Sequence, residues 1–411
     1  MMKKNRENYY RFIFCIFVLL VISACGKKAL TPTSQLDTPG HHVYTGLKLL
    51  ELGKYSDAKR EFQMASKIDP LYSKSYTGMA LVQMAMGNPA LAWENLDLGL
   101  KSVRSEEDRL FVNVAKIRYH TFQKSEANWL DLSKKQFEEA IALDSKHAPA
   151  YYYMGLAYKE ALEFDLAAQM FAKVMDQKTE HMTDAKEQTD FLEKVKSLKP
   201  QSTAAKRIAL KEQISRADTA ALLVEELKIK EIYPKASEPL KEEVTLIGKK
   251  VEENISADVL DQVKEEPKDT ASVQSAEMPS KAKAKDISNH FFRKEIEEIL
   301  ELKVVGLQND SRGNFKPDEV ISRGELAVIL EDVLTKVTGE KDLAAVYVSS
   351  KSLFPDVPSD MPYFKSIIAV SSQDIMEAKN LQTKEFAPLK PVTGLEAILI
   401  MNNLKKKLKS K

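Results

Sequence analysis

The stretch Gly46-Leu47-Lys48-Leu49-Leu50-Glu51-Leu52-Gly53-Lys54-Tyr55-Ser56-Asp57-Ala58-Lys59-Arg60-Glu61-Phe62-Gln63-Met64-Ala65-Ser66-Lys67-Ile68-Asp69-Pro70 decides the fold. Two runs of helical apolar periodicity flank the breaker Gly53, and Pro70 stops the second. The pattern then returns. Gly46 to Ala80, Gly53 to Gly87 and Ala58 to Ala92 are each 34 positions apart, and Leu96 and Gly99 continue the second unit. A later unit carries Gly155, Tyr158, Ala167, Phe171 and Val174. Between them lies a diverged, longer unit with Ala115, Phe137 and Ala140, its extra residues falling around Gln123 to Leu130.

The spacing has a physical reason. A small residue on the first helix lets the second approach, where Ala58, Ala92 or Ala167 faces it. Phe62 and Phe171 then fill the gap to the next unit. One such pair cannot bury its apolar face alone, so several stack into a curved solenoid. Over residues 39 to 176 the chain resembles the tetratricopeptide family. The resemblance implies a concave surface that binds a peptide or partner protein. His42, Tyr76, Tyr119, Tyr151 and Tyr152 are its candidate residues, each equally suited to packing between repeats.

Two segments near the C-terminus share another scheme. The first runs Asp286-Ile-Ser-Asn-His290-Phe291, then Ile296, Ile299 and Leu300, then Phe315-Lys316-Pro317, then Ile321-Ser322-Arg323-Gly324-Glu325-Leu326. The second runs Phe354-Pro355-Asp356-Val357-Pro358, then Ile367 and Ile368, then Phe386-Ala387-Pro388, then Val392-Thr393-Gly394-Leu395-Glu396. Asp286 and Asp356 are 70 positions apart, Phe315 and Phe386 71, so a whole unit recurs. Each reads as helix, Phe-x-Pro turn, then a helix that Ser322 or Thr393 caps, with Glu325 or Glu396 placed to complete a capping box. A third trace, Ile214-Ser215-Arg216-Ala217-Asp218, aligns with Ile321 onward, but its first half is unrecognisable.

These segments resemble S-layer homology modules. The resemblance implies three modules in one helical bundle and attachment to an anionic cell-wall polymer. By position it points to Arg216 and Arg323 for the polymer's charge, with Asp286, His290 and Asp356 beside them. A guanidinium fork suits carboxylate or phosphate, and a helix N-terminus next to it favours an anion. Asp286 and Asp356 equally suit capping their own helices. The second full copy departs from the pattern, with Gly394 where Arg is expected.

At the N-terminus, Lys3, Lys4, Arg6 and Arg11 precede the apolar run Phe12 to Ala24, which is short for a membrane span. Ile22-Ser23-Ala24-Cys25-Gly26 resembles the lipobox of bacterial lipoproteins. That resemblance implies cleavage before Cys25 and acyl chains on it. By resemblance to sorting rules, Gly26 implies the outer membrane, with the chain facing the periplasm. Cys15 falls in the signal, so the mature chain has no disulfide framework.

The balance of 61 basic and 60 acidic residues argues against nucleic acid as a partner. Six scattered histidines give no metal-ligand spacing. No phosphate loop, His-Glu-x-x-His or Gly-x-Ser-x-Gly occurs, so neither a catalytic residue nor a cofactor is expected, and the chain reads as no enzyme.

The expected fold is all-α, an N-terminal tetratricopeptide solenoid followed by a small helical bundle. The expected segments are signal 1–24, tether 25–38, repeats 39–200, half module 201–236, charged linker 237–285, modules 286–345 and 346–404, and basic tail 405–411. The function expected is an outer-membrane lipoprotein scaffold, lipid-anchored in the membrane, that binds an envelope protein and peptidoglycan or a related glycan. The alternative is an assembly factor for a secretion, pilus or polysaccharide-export complex that binds proteins only.

Overall fold

The computed structural model describes residues 31, 34, 37–124, 127–233, 284–339 and 352–409. Cys25, the signal and most of the charged linker lie outside them. Among the described residues all extended regular structure is helical, as expected. They form two compact units that divide between Leu192 and Glu193.

The first unit is four helix pairs. These are α1 (Pro39–Glu51) with α2 (Tyr55–Ile68), α3 (Ser73–Ala85) with α4 (Pro89–Lys101), α5 (Glu106–Gln123) with α6 (Trp129–Leu143), and α7 (Ala148–Glu160) with α8 (Phe164–Gln177). Helix α9 (Met182–Leu198) follows. The diverged third pair puts extra length into α5, 18 residues against 13 in α3.

The small-residue logic appears directly in the packing. Ala58, Ala92 and Ala167 are fully buried, as are Phe62 and Phe171. The Phe62 ring fills the space over two first helices. A Cβ added at Gly46 would come within 2.8 Å of that ring, and one at Gly78 within 2.2 Å. One aromatic therefore locks its own pair to the next, which makes it the joint of the array. Phe62→Ala is expected to destabilise the repeat unit by about 3–5 kcal/mol, the usual cost of emptying an aromatic site in a core. Urea unfolding followed by circular dichroism checks this, with Tyr44→Ala, at an exposed ring, as the near-neutral comparison.

The second unit holds three helix pairs. The first is α10 (Thr203–Ala209) with α11 (Arg216–Ala221), which continues through a π-helical turn at Leu222–Glu226, followed by the short α12 (Ile229–Ile232). The second is α13 (Arg293–Leu302) with α14 (Arg323–Thr338), and the third α15 (Phe364–Ser372) with α16 (Gly394–Lys409). The first half that the sequence left unrecognisable is thus the seven-residue α10.

The starts of α11, α14 and α16 meet in a closed ring of backbone hydrogen bonds. Ile214 N donates to Val392 O (2.9 Å), Val392 N to Ile321 O (3.1 Å), and Ile321 N to Ile214 O (3.0 Å). All three side chains are buried. Each N–H is satisfied by a different pair, so no pair completes its own centre.

The third pair also closes onto the first away from the ring. Lys405 Nζ bonds Glu226 Oε1 (2.5 Å), a carboxylate that also accepts from Gln201 N and Ser202 N. Helix α16 runs through Lys409, and Lys405 is held because a buried carboxylate needs a cation.

Candidate functional site

Each Phe-x-Pro turn is gripped by the aspartate that opens its own segment. Asp286 Oδ1 and Oδ2 accept from Phe315 N (2.8 Å) and Lys316 N (2.7 Å). Asp356 does the same for Phe386 N (2.8 Å) and Ala387 N (2.7 Å). These aspartates do not cap the following helices. Lys316 and Ala387 sit at φ +57° and +58°, a region that non-glycine residues rarely occupy. Two charge-assisted hydrogen bonds hold that strained backbone in place.

The arginines act between segments. Arg216, at the start of α11, donates Nε to Phe315 O (2.8 Å), Nη1 to Gly306 O (2.8 Å) and Nη2 to Gln308 O (2.9 Å). Its guanidinium lies 4.9 Å from the centre of the Phe315 ring. Arg323, at the start of α14, repeats this one segment along. Nε donates to Phe386 O (2.6 Å), Nη2 to Glu377 O (2.6 Å), and the guanidinium stacks over Phe386 at 4.3 Å. Its remaining nitrogen pairs with Glu396. Arg323 is 2 % exposed, and burial pulls its pKa down to about 10, so it stays charged near neutrality.

His290 is also turned inward. Its Nδ1 accepts from Phe292 N (3.0 Å) at the start of α13, and Nε2 lies 3.6 Å from Asp318. The five polymer candidates thus hold backbone in place, and the two arginines tie one segment to the next.

A solvent-open cleft of about 450 Å³ adjoins Arg323. Leu395, Leu399, Ile400 and Ile375 give it an apolar floor, and Lys194, Lys379 and Asn403 a polar rim. Glu396 serves two cations at once, Arg323 and Lys379 Nζ (2.6 Å). It therefore does not close a capping box as Glu325 does for Ser322. Burial first, then the charges of Arg323 and Lys390, push the Lys379 pKa below its usual value. The cleft has more positive than negative charge to neutralise. The sequence reading missed Lys194 and Lys379, because neither sits in a motif.

In the repeat unit the five partner candidates separate. Tyr76 OH donates to Pro70 O (2.7 Å) and Tyr151 OH to Ser145 O (3.1 Å), both across six positions, so both tie down the loop before their helix. His42 lies between Glu61 (Nδ1, 2.7 Å) and Asp37 (Nε2, 2.8 Å). Tyr119 packs against Trp93 and His120. Tyr152 stacks on His181, with centroids 4.4 Å apart, and burial pushes its pKa up to about 12. The structure does not gather the five into one patch.

Comparison with known proteins agrees with this geometry. The model of the S-layer homology domain matches residues 285–327, which span Asp286, the first Phe-x-Pro turn and Arg323. The chain combines tetratricopeptide-type repeats with S-layer homology modules. It is 28% identical to tetratricopeptide repeat protein 6 of Homo sapiens over 130 residues, 32% of this chain and 24% of that one. It is 35% identical to the surface-layer 125 kDa protein of Lysinibacillus sphaericus over 95 residues, 23% of this chain and 7% of that one. The chain thus spans about a quarter or less of the length of either relative. S-layer homology modules bind cell-wall polymers, tetratricopeptide-type repeats bind proteins, and both are non-catalytic. Among the described residues no His, Cys, Asp and Glu grouping suits a metal ion, and no helix is long and apolar enough to cross a membrane.

The departure at Gly394 follows from the module that it faces. Arg216 clamps the turn of the second module, and Arg323 that of the third. An arginine at 394 would clamp the turn of the first, but there the chain passes from Ala209 to Arg216 with no Phe-x-Pro turn. Instead Gly394 N donates to Lys211 O (2.9 Å), and a Cβ at 394 would lie 1.9 Å from Ile208 O. The lost turn and the lost arginine are one change. Gly394→Arg is therefore expected to destabilise the module bundle by about 3 kcal/mol, the upper end of the usual cost of overpacking, because the clash is with backbone. A melting curve of the variant checks this, and an unchanged or higher melting temperature would contradict it.

His42 predicts a pH effect on the repeat unit. Burial opposes its charge, but the hydrogen bonds to Asp37 and Glu61 outweigh burial and raise its pKa above the usual value. The folded unit thus holds this proton more tightly than the unfolded chain. Its stabilisation is full below the unfolded value of about 6.5 and is lost as pH rises through the folded pKa. Melting temperatures measured from about pH 5 to 8 should fall less steeply in His42→Gln than in the parent.

Proposed function

We propose that the protein is a non-catalytic outer-membrane lipoprotein that serves as an envelope scaffold. Cys25 carries the lipid, the repeats hold an envelope protein, and the S-layer homology modules bind peptidoglycan or a related wall polymer. The observation that carries the polymer half is the cationic cleft beside Arg323, inside a unit whose second module matches a wall-binding family. Its apolar floor suits the face of a sugar ring. Lys194 and Lys379 on its rim suit carboxylate or phosphate; with Arg323 they outnumber the two lining carboxylates, Glu377 and Glu396, of which Glu396 is already shared. The lipobox-like Ile22-Ser23-Ala24-Cys25 supports the anchor. Acylation on more than one chain makes such an anchor stable, since each buried methylene contributes about 0.8 kcal/mol.

The test follows from what the arginines do. Arg323→Ala removes a fold clamp, so a loss of binding in that variant says little about contact. Lys194→Gln with Lys379→Gln leaves the clamps in place. The mature chain is expected to pellet with purified sacculi, and the double variant to pellet several-fold less at unchanged melting temperature. No pelleting of the parent chain, together with recovery of an export-channel protein from solubilised envelopes, would overturn the polymer half and favour an assembly factor.

A further inference from the structure

The turns that join the two helices of each pair lie along one edge of the repeat array, as contacts between pairs show. Trp93, near the start of α4, packs on Tyr119 and His120 in the last turn of α5, with ring centroids 5.2 and 6.1 Å apart. Lys124, at the end of α5, pairs with Glu160 at the end of α7.

Three of these turns share one backbone form. Gly53, Gly87 and Leu162 each donate N–H to a carbonyl three residues back, on Leu50, Met84 and Lys159. Lys54, Asn88 and Glu163 each donate five residues back, to Leu49, Gln83 and Tyr158. The turning residue is left-handed in all three, at φ +70°, +76° and +65°. Glycine takes this conformation freely and leucine does not. Each turn presents one large apolar side chain, Leu52, Met86 or Leu162. Leu52 is 69 % exposed and Met86 46 %. Leu162 accepts backbone strain at a site that is itself only partly buried.

Aromatic residues extend the row. The chain's two tryptophans, Trp93 and Trp129, both stand near the starts of second helices on this edge, and Phe122 is exposed in the last turn of α5. Lys48 is neutralised by Glu51, and Lys124 by Glu160. The opposite edge also exposes Leu71, Leu98 and Leu143, but ion pairs cross it, Asp69 with Arg104 and Lys74 with Glu107.

We infer that the turn edge rests on the surface of the bilayer in which the Cys25 lipid is anchored. The inference goes beyond the scaffold role and relies on its lipid anchor. The reach fits. Pro39 follows Cys25 by 14 positions, at most about 50 Å of extended chain. Helix α1 covers only about 20 Å to the first turn. The residue types fit as well. Tryptophan and tyrosine favour the membrane–water interface, and apolar side chains such as Leu52 enter the acyl boundary. With these lysines paired, the contact depends on apolar burial and not on anionic lipid.

The test uses residues 25–411, whose one cysteine, Cys25, is joined to a maleimide lipid headgroup that supplies the tether. The vesicles are phosphatidylcholine with ordinary or dibrominated acyl chains, and bromine quenches nearby tryptophan. Brominated vesicles should lower the emission about twofold, with little change as salt is raised. Leu52→Ser with Met86→Ser should restore most of the emission at unchanged melting temperature. Leu162→Gly should weaken quenching yet melt at the same temperature or higher, because glycine relieves the turn. A purely structural leucine would not separate the two. Equal emission in both vesicle types overturns the edge contact and leaves the anchor standing, since the coupling replaces the lipid. Quenching that persists in the folded Leu52→Ser, Met86→Ser variant, or that vanishes at high salt, overturns it too. Mass spectrometry of the Cys25 fragment of the full chain checks the anchor separately. Absence of acyl mass overturns the anchor and, with it, the bilayer as occupant of this edge.

Discussion

The buried guanidinium of Arg323 carries the module bundle. Its three donor nitrogens reach Phe386 O, Glu377 O and Glu396, all on the following module, while its own backbone N–H goes to Lys390 O. Hydrogen bonds of a charged donor contribute about 1.5–3 kcal/mol each. A fold with a net stability of about 5–15 kcal/mol cannot lose several at once. Arg216 makes the equivalent set one module earlier. Between them, the arginines and the Ile214–Val392–Ile321 ring make three short helix pairs one cooperative body.

This changes how the sequence motif reads. An arginine at a helix N-terminus, beside an aspartate and an aromatic, has the chemistry of an anion site. In this chain the acceptors are internal: backbone carbonyl oxygens of the neighbouring module and, for Arg323, the Glu396 carboxylate. What is left for a ligand is the margin of the clamp, where Glu396 is divided between Arg323 and Lys379 and where Lys194 stands on the rim. The residues that build the cleft and the residues that meet solvent in it are largely different.

Much of the fold was legible in the sequence because it rests on small and aromatic residues at fixed spacing. Ala58 and Ala92 occupy places 34 positions apart, and Phe62 and Phe171 each follow a buried alanine, Ala58 and Ala167, by four positions. The 70- and 71-residue offsets likewise matched Asp286 to Asp356 and Phe315 to Phe386, and each pair bonds alike. Two things were not legible. Helix α10 has seven residues and no aromatic signature, so only its packing shows that it completes a module. The site residues were hidden for a different reason. A side chain's type does not reveal whether its partner is protein or ligand. Tyr76 and Tyr151 look like surface aromatics but bond loop carbonyls, whereas Lys194 and Lys379 lie in no motif.

The central claim is that the three modules close as one unit through the ring at Ile214, Ile321 and Val392. Native-state amide hydrogen exchange of the mature chain measures this most directly. The account predicts that these three amides exchange with one common free energy, equal to that of global unfolding of the module unit. Separate exchange, with Ile214 opening at markedly lower free energy than Ile321 and Val392, would contradict it and make the first module an appendage.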